Sequence, residues 1–525
     1  VSTISPNKVH IGYVLASDFI EGIRVRITDP EYMKQLRIGQ LLVIEQENGD
    51  SIYAQVENLH TDWHKDIREL NMPSAVPTKP ALMQKLFIEQ EILLKAVKVN
   101  RSGNLLAMRS IPLPGEAVRF ASDDDIGQIY GPKDAEHIYI GEPLEMTSPV
   151  VMNVKKFVER SNGIFGKSGT GKSFLARIIL SELIRSQKVA TLIFDMHSEY
   201  GWESMSEQGH IKGLRQLFPQ QVLIFTLDED SSKGRGVQPD HVLKIAPEMI
   251  TIDDIAILAE ELDLSQAMLD AMEIIHKKEG KYWLRRISTL DPMDIRTQAE
   301  FYGVVEGSLQ ALYRKLNRIM SLPFLKEGED TLSTLFMALE SAKTIVLEFG
   351  HYNNLVSYML VSNLITRHLH SRYVKATEKF INSRNIADKP VPLMIVVEEA
   401  HKFLQGRVAR NTTFGTIARE MRKYSVTLLI IDQRPSSIDR EVLSQLGTRI
   451  VAMLNDPDDI DAVFTGVSDR GMLKNWLSTL DTKKQVLLLG HAIPIPTVVR
   501  VRDYNEDFYK SMITDTDKGV KELFG

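Results

Sequence analysis

The sequence predicts a small N-terminal β-barrel followed by an α/β domain with a mainly parallel sheet and an inserted helical subdomain. Three observations carry this. Short alternating strands with turn signals fill residues 1–115. From residue 151 on, short apolar runs alternate with helical stretches, the rhythm of strands buried on both faces. Between about 245 and 340 that rhythm gives way to helical periodicity.

The barrel elements come first. "IRVRIT" (Ile23 to Thr28) alternates apolar and polar residues, the period of a half-buried strand. In "LLVIEQENGDSIYAQV", Asn48-Gly49 separates two strand-like runs and signals a hairpin. "LFIEQEILLKAV" is a further strand, and "IPLPGEAV" (Ile111 to Val118) reads as the barrel's exit. Residues 116–150 read as a connector and 151–525 as the α/β domain.

In that domain the expected strands are Val189–Asp195, Gln221–Thr226, Thr344–Phe349, Pro392–Val397, Val426–Ile431 and Gln485–Leu489. Within the insertion, Thr251 stands three residues before Asp254, a helix-start signature. "SLQALYRKLNRIM" sets Leu309, Leu312, Leu316 and Ile319 on one face.

Composition bounds the function classes. At 525 residues the chain exceeds a single core. It has no cysteine, which excludes disulfides, thiolate chemistry and cysteine-based zinc sites and fits a reducing, cytoplasmic setting. A net charge of −6 is not that of a globally basic nucleic-acid binder, although a local basic channel is compatible with it. No apolar run is long enough for a bilayer, and the opening VSTISPNKVH lacks a secretory segment, so no membrane association is expected. Twenty methionines and a moderate charge content lean toward a mesophile.

"GKSGTGKS", Gly166 to Ser173, fits G-x-x-x-x-G-K-[ST] in full between the apolar "GIF" and the helical "FLARIILSELI". Glycines let backbone N–H groups curl around phosphate oxygens, and the following helix points its positive end at the same anion. Gly166, Lys167, Ser168, Gly169, Thr170, Gly171, Lys172, Ser173 and Phe174 are therefore expected to bind ATP. Lys172 would reach the β- and γ-phosphates and Ser173 would ligate Mg2+.

"VVEEAHKF" ends an apolar strand with two adjacent acids, Glu398 and Glu399, which are costly unless something positive faces them. Nucleotide-bound Mg2+ answers that need. Glu398 takes the place of the Mg2+-holding carboxylate and Glu399 that of the group polarising the attacking water. Two solvated acids at a strand end are the plain alternative.

Four further groups follow. Gln433 closes the strand of "LLIIDQRP", where it could sense phosphate or water or merely cap the strand. Asp195 and Glu199 of "IFDMHSEYG" would lie beside the nucleotide, or be structural. Arg419 and Arg422 of "IAREMRKYSV" suit a phosphoryl transition state, often from a neighbouring subunit, or a solvated helix face. For DNA phosphates the candidates are Lys233 and Arg235 in "SSKGRG", read as a flexible loop, and Arg407 and Arg410 in "QGRVARN"; solvated loops are the alternative. His197 lacks metal-spaced partners and reads as a packing histidine.

Together, "GKSGTGKS", "FDMHSEYG", "VVEEAHKF", "IAREMRKYSVTLLIIDQRPSSIDREVLSQLGTRI" and "GHAIPIPTVV" resemble the HerA family of the HerA/FtsK group. The resemblance implies a RecA-like P-loop motor domain behind a HAS-barrel, assembled as a homo-hexameric ring on double-stranded DNA. It implies ATP between subunits, with Arg419 or Arg422 acting in trans and Arg160 near the nucleotide. The tail at about 490–525 would brace a neighbouring subunit. The barrel would dock an effector, a NurA-like nuclease or a Sir2-like or nuclease effector of an anti-phage system. The implied function is ATP-driven DNA translocation in end processing or defence. A nucleotide-regulated ring scaffold that activates an effector uses the same residues. A metabolite kinase would leave barrel, insertion and tail without a use.

Overall fold

The computed structural model describes residues 9–512 except 64–87, 207–208, 327, 329, 407–408, 410–411, 469 and 482–483. The chain divides into two compact units: residues 1–152, 450–453 and 467–502, and residues 153–449, 454–466 and 503–525. No described helix is long and apolar enough to cross a membrane.

The first unit contains the barrel. Its strands are β1 (His10–Asp18), β2 (Gly22–Ile27), β3 (Leu41–Glu45), β4 (Ser51–Trp63), β5 (Ile88–Arg101), β6 (Asn104–Ala107) and β7 (Ala117–Phe120). They run β2-β1-β7-β3-β4-β5-β6, and a further β2–β5 pairing closes six of them on themselves. Closure removes the exposed edges that an open sheet of this size would carry. Alternate residues Ile23, Val25 and Ile27 of β2 point into a core shared with Ile11, Leu42, Ile52 and Leu94. Asn48-Gly49 makes the β3–β4 turn, with Gly49 at φ +85° and the Asn48 side chain accepting from the Asp50 amide at 2.9 Å.

Residues 116–150 are not a connector. Ala117–Phe120 is the strand between β1 and β3 that the barrel needs to close, and a helix (Asp123–Tyr130) and strand β8 (His137–Pro143) follow. Arg119 of β7 anchors that helix, bonding Asp125 at 2.7 Å, while Asp125 also completes a capping box with Ser122. The C-terminal strands β20 (Gln485–Gly490) and β21 (Thr497–Val501) belong to this unit too. They pair antiparallel with each other, and β21 pairs antiparallel with β8. Gln485–Leu489 is thus a strand, as expected, but not one of the parallel set. Short apolar runs look alike in either direction, and pairing sense is a non-local property.

The second unit is a parallel sheet. The strands β10 (Asn162–Phe165), β11 (Ala190–Asp195), β14 (Val222–Thr226), β15 (His241–Val242), β16 (Thr344–Glu348), β17 (Leu393–Glu398) and β18 (Val426–Asp432) run β15-β14-β16-β11-β17-β18-β10. Each neighbouring pair in this order is parallel. Every residue of β11, β16, β17 and β18 is buried, as two covered faces require. All their carboxyl ends therefore share one edge.

The insertion is helical. Leu309, Leu312, Leu316 and Ile319 of helix Glu306–Met320 are buried together. Thr251 and Asp254 form a capping box, and the fully buried Asp254 carboxylate also accepts from Asn363 at 2.9 Å and Arg367 at 2.7 Å on helix Leu355–Ser383. One side chain thus starts a helix and pins the insertion to the body.

The tail packs at home. Tyr504, Phe508, Tyr509 and Met512 are buried; the Tyr504 hydroxyl donates to the Lys212 carbonyl at 3.0 Å, and the Lys212 amide donates to the Tyr509 hydroxyl at 3.4 Å. Residues 503–512 therefore brace their own chain, where a clasp on a neighbour was expected. Residues 513–525 lie outside the described residues.

Candidate nucleotide site

The loop after β10 leads into helix Lys172–Ser186. Gly169 and Gly171 hold φ +79° and +88°, conformations costly for other residues, and a Cβ there would meet nothing within 4 Å. These glycines thus serve the turn itself, and the loop faces open space, which fits a phosphate cradle. The Lys167 carbonyl accepts from the Thr170 hydroxyl at 2.8 Å and from the Lys172 ammonium at 2.9 Å. Burial lowers the Lys172 pKa, opposed by the nearby Glu399, Asp432 and Glu398. Lys172 therefore faces the acids of the neighbouring strand ends.

The sheet order explains that meeting. β18 separates β17 from β10, so Glu398 and Glu399 at the end of β17, and Asp432 and Gln433 at the end of β18, line the edge beside the loop. Glu398 is 9% exposed and accepts from the Tyr200 hydroxyl at 2.5 Å. Burial pushes its carboxyl up to about 8; the Tyr200 bond opposes this, and Asp195, Glu199 and Glu399 reinforce it. Glu399 has φ +49°, the left-handed region, a strain of about 1 kcal/mol for a residue with a Cβ. It turns the chain off the strand, and its carboxylate meets Gln433 Nε2 at 3.5 Å and His401 Nδ1 at 3.7 Å.

Asp432, His401, Tyr200 and Arg177 went unrecognised in the sequence. Burial would raise the Asp432 carboxyl, but bonds from His401 and the Arg434 amide outweigh it and hold it below its ordinary value. Arg177 is buried at 4% exposure, bonds the Glu199 carbonyl, and lies 6.0 Å or less from the ring centroids of Phe174, Tyr200 and Tyr504. The expected strand stops at Ile431, one residue short of Asp432, and nothing local shows what a strand-end acid will meet.

The remaining expected residues divide. Asp195 is fully buried and accepts from the Glu199 and Tyr200 amides at 2.9 and 2.8 Å, so it folds its own loop. Burial raises its carboxyl against those two bonds. Glu199 is half-buried beside it, and His197 is exposed. Arg160 precedes β10 and packs against Gly447 at the amino end of the sheet. The four residues of β10 alone span about 13 Å, so Arg160 stands away from its own loop. Arg419 donates to the Ala409 carbonyl at 3.3 Å, which turns its guanidinium back toward the start of helix Thr413–Glu420, and Arg422 is exposed just before β18, toward that same amino end.

"SSKGRG" is not a flexible loop. Residues Glu229–Gly234 form a short helix, Lys233 pairs with Glu229 at 2.9 Å, and Arg235 pairs with the fully buried Glu348 at the end of β16. Arg235 is thus the counter-charge of a buried acid, which its sequence neighbours could not reveal. Arg407 and Arg410 lie outside the described residues. Among the described residues, no group of three or more His, Cys, Asp or Glu is arranged as a metal site, so any Mg2+ here would need nucleotide oxygens to complete its shell.

The helicase HerA central-domain family matches residues 138–369. The DNA double-strand break repair helicase HerA of Pyrococcus furiosus is 24% identical over 499 residues, covering 89% of this chain and 88% of that protein. Its counterpart in Sulfolobus acidocaldarius is 22% identical over 98% of this chain and 96% of that protein. Among solved structures, VirB4 of Thermoanaerobacter pseudethanolicus aligns with 72% of this chain at a TM-score of 0.45 and 14% identity. A P-loop on the same sheet edge as a Glu-Glu strand end thus lies in a chain that is similar to the HerA central domain over residues 138–369 and aligns with these HerA helicases over most of its length.

Proposed function

We propose that this protein is an ATP-driven DNA helicase or translocase that works as a homo-hexamer on double-stranded DNA. The observation that carries it is a full P-loop opening the helix Lys172–Ser186 on the same sheet edge as the Glu398–Glu399 strand end. Lys172 leaves the Lys167 carbonyl for the β- and γ-phosphates, and the amides of Gly166 to Ser173 cradle them. Ser173 and Glu398 would hold Mg2+, which when bound would neutralise developing charge on the phosphates. Glu399 orients and deprotonates the attacking water, with Gln433 beside it.

Arg422 supports a shared site. It lies toward the end of the sheet opposite its own P-loop, so as a finger it serves only a neighbouring subunit. An effector of nuclease or Sir2-like type would dock on the barrel, in DNA-end processing or anti-phage defence. The names of the HerA relatives support the DNA-repair setting.

The test is ATP turnover with and without linear double-stranded DNA, with Glu399→Gln as the blank. Strong stimulation by DNA and a near-silent Glu399→Gln protein are expected. Turnover indifferent to DNA overturns the translocase reading in favour of the ring scaffold, and normal turnover by Glu399→Gln removes that residue from the chemistry.

A further inference from the structure

One imidazole stands between the ends of β17 and β18. His401 follows Glu399 by two residues and opens the short helix His401–Leu404. Its backbone N–H donates to Asp432 Oδ2 at 2.7 Å, and its Nδ1 lies 3.0 Å from Oδ2 and 3.2 Å from Oδ1 of the same carboxylate. The Arg434 amide adds a further bond to Asp432 at 2.7 Å. Asp432 is 1% exposed, so this carboxylate is immobilised and His401 is fixed to it at backbone and ring. The same Nδ1 faces Glu399 Oε2 at 3.7 Å.

Glu399 itself is held loosely. Its side chain is 30% exposed, and its contact with Gln433 is long at 3.5 Å. Its backbone direction is set by the left-handed turn, not by the carboxylate. A flexible acid beside a rigidly anchored ring is an arrangement in which the ring selects the acid's position. The bond to Asp432 raises the His401 pKa against burial, with Asp432 and Glu399 adding their charge and Lys402 opposing, so the ring holds its proton more readily than a free imidazole.

We propose that His401, anchored by Asp432, is the positioning residue that holds the Glu399 carboxylate in place for ATP hydrolysis. The proposal rests on the reading of Glu399 as the water-orienting group. His401 touches neither nucleotide nor water in this scheme and acts through Glu399 alone.

A double-mutant cycle tests it, with single-turnover ATP hydrolysis and nucleotide affinity measured on the full-length protein. His401→Ala should lower the hydrolysis rate about tenfold while affinity for Mg·ATP stays within about twofold, the split expected when orientation is lost and binding is kept. His401→Asn, which retains a donor for Asp432, should recover part of the rate and keep the wild-type melting temperature. In the Glu399→Gln background, His401→Ala should cause no further loss, because its effect passes through the missing carboxylate.

An equal loss in that background overturns the proposal, as does a rate unchanged in His401→Ala while Glu399→Gln is slow. If His401→Ala does not fold, His401→Asn carries the cycle, and a rate equal to wild type overturns the proposal. A Glu399→Gln protein of normal rate defeats the functional reading itself, a separate and recognisable result.

Discussion

Replacing Arg235 with Ala should destabilise the α/β unit in a pH-dependent way. The Glu348 carboxylate is fully buried and Arg235 is its ion-pair partner. Removing one member of a buried pair costs about 3–5 kcal/mol, since the other charge is left desolvated. Arg235 is one-third exposed, so water can enter after truncation and the lower figure, about 3 kcal/mol, applies. At roughly 2 °C per kcal/mol for a large unit, melting should fall by about 6 °C near pH 7. Burial raises the Glu348 pKa, Arg235 opposes the rise, and Asp195 adds to it. Without Arg235 the folded-state value climbs further above the unfolded one. A raised carboxyl favours the folded state only below the unfolded pKa, and that contribution is lost as pH rises through the folded pKa. The deficit of Arg235→Ala relative to wild type should therefore be largest at pH 7 and shrink toward pH 5. Differential scanning fluorimetry across that range measures it. An unchanged melting temperature together with selective loss of DNA binding would refute the reasoning and restore Arg235 as a DNA contact.

Two other outcomes are expected. Lys172→Ala should weaken ATP binding by about a hundredfold, because the phosphates lose the one P-loop cation facing the acids; titration with a fluorescent ATP analogue reads it. Arg422→Ala and Glu399→Gln proteins, each nearly inactive alone, should regain part of the ATPase rate when mixed, since some interfaces then carry both native residues. No recovery in rings shown by mass to be mixed counts against a trans finger.

The elements legible in the sequence were those set by local rules. The Asn48-Gly49 hairpin, the buried face of Glu306–Met320 and the P-loop each follow from a few neighbouring residues. What escaped depended on pairing across the chain. "AVRF" is too short and mixed to announce the strand that closes the barrel, and its role follows from β1 and β3 on either side. Arg235 reads as a DNA-phosphate candidate in a flexible loop, or as a solvated cation, because its partner lies 113 residues away. Tyr200 and Glu398 are separated by 198 residues, so neither their bond nor the placing of Asp195 against its own loop could be read locally.

Four acids end adjacent strands of this sheet, and their local sequence reveals none of their partners: Asp195, Glu348, Glu398 and Asp432. The fold answers three of them internally. Glu348 has Arg235, Asp432 has His401, and Asp195 has two amides. Glu398 has a neutral tyrosine hydroxyl, and burial keeps its carboxyl near 8. A buried acid without a paired cation is a standing cost unless one arrives during function. That asymmetry, more than motif position, supports the proposal of Glu398 as the acid for the metal. The consequence is a contrast between two conservative substitutions. Glu398→Gln should leave the nucleotide-free protein within about 1 kcal/mol of wild type near pH 4, below the unfolded carboxyl pKa, because the neutral amide resembles the protonated acid and still accepts from Tyr200. As pH rises from the unfolded carboxyl value of 4.5 through about 8, wild type loses the stability its raised carboxyl gave, so the variant should become the more stable protein across that range. It should also lose the rise in melting temperature that Mg·ATP gives wild type, about 2.7 kcal/mol at a hundredfold excess over Kd. Glu348→Gln should do the reverse, destabilising the free protein by stranding Arg235 while keeping the Mg·ATP response. If the two variants exchanged these behaviours, the acid held by Arg235 would be the metal ligand and the assignment of Glu398 would fall.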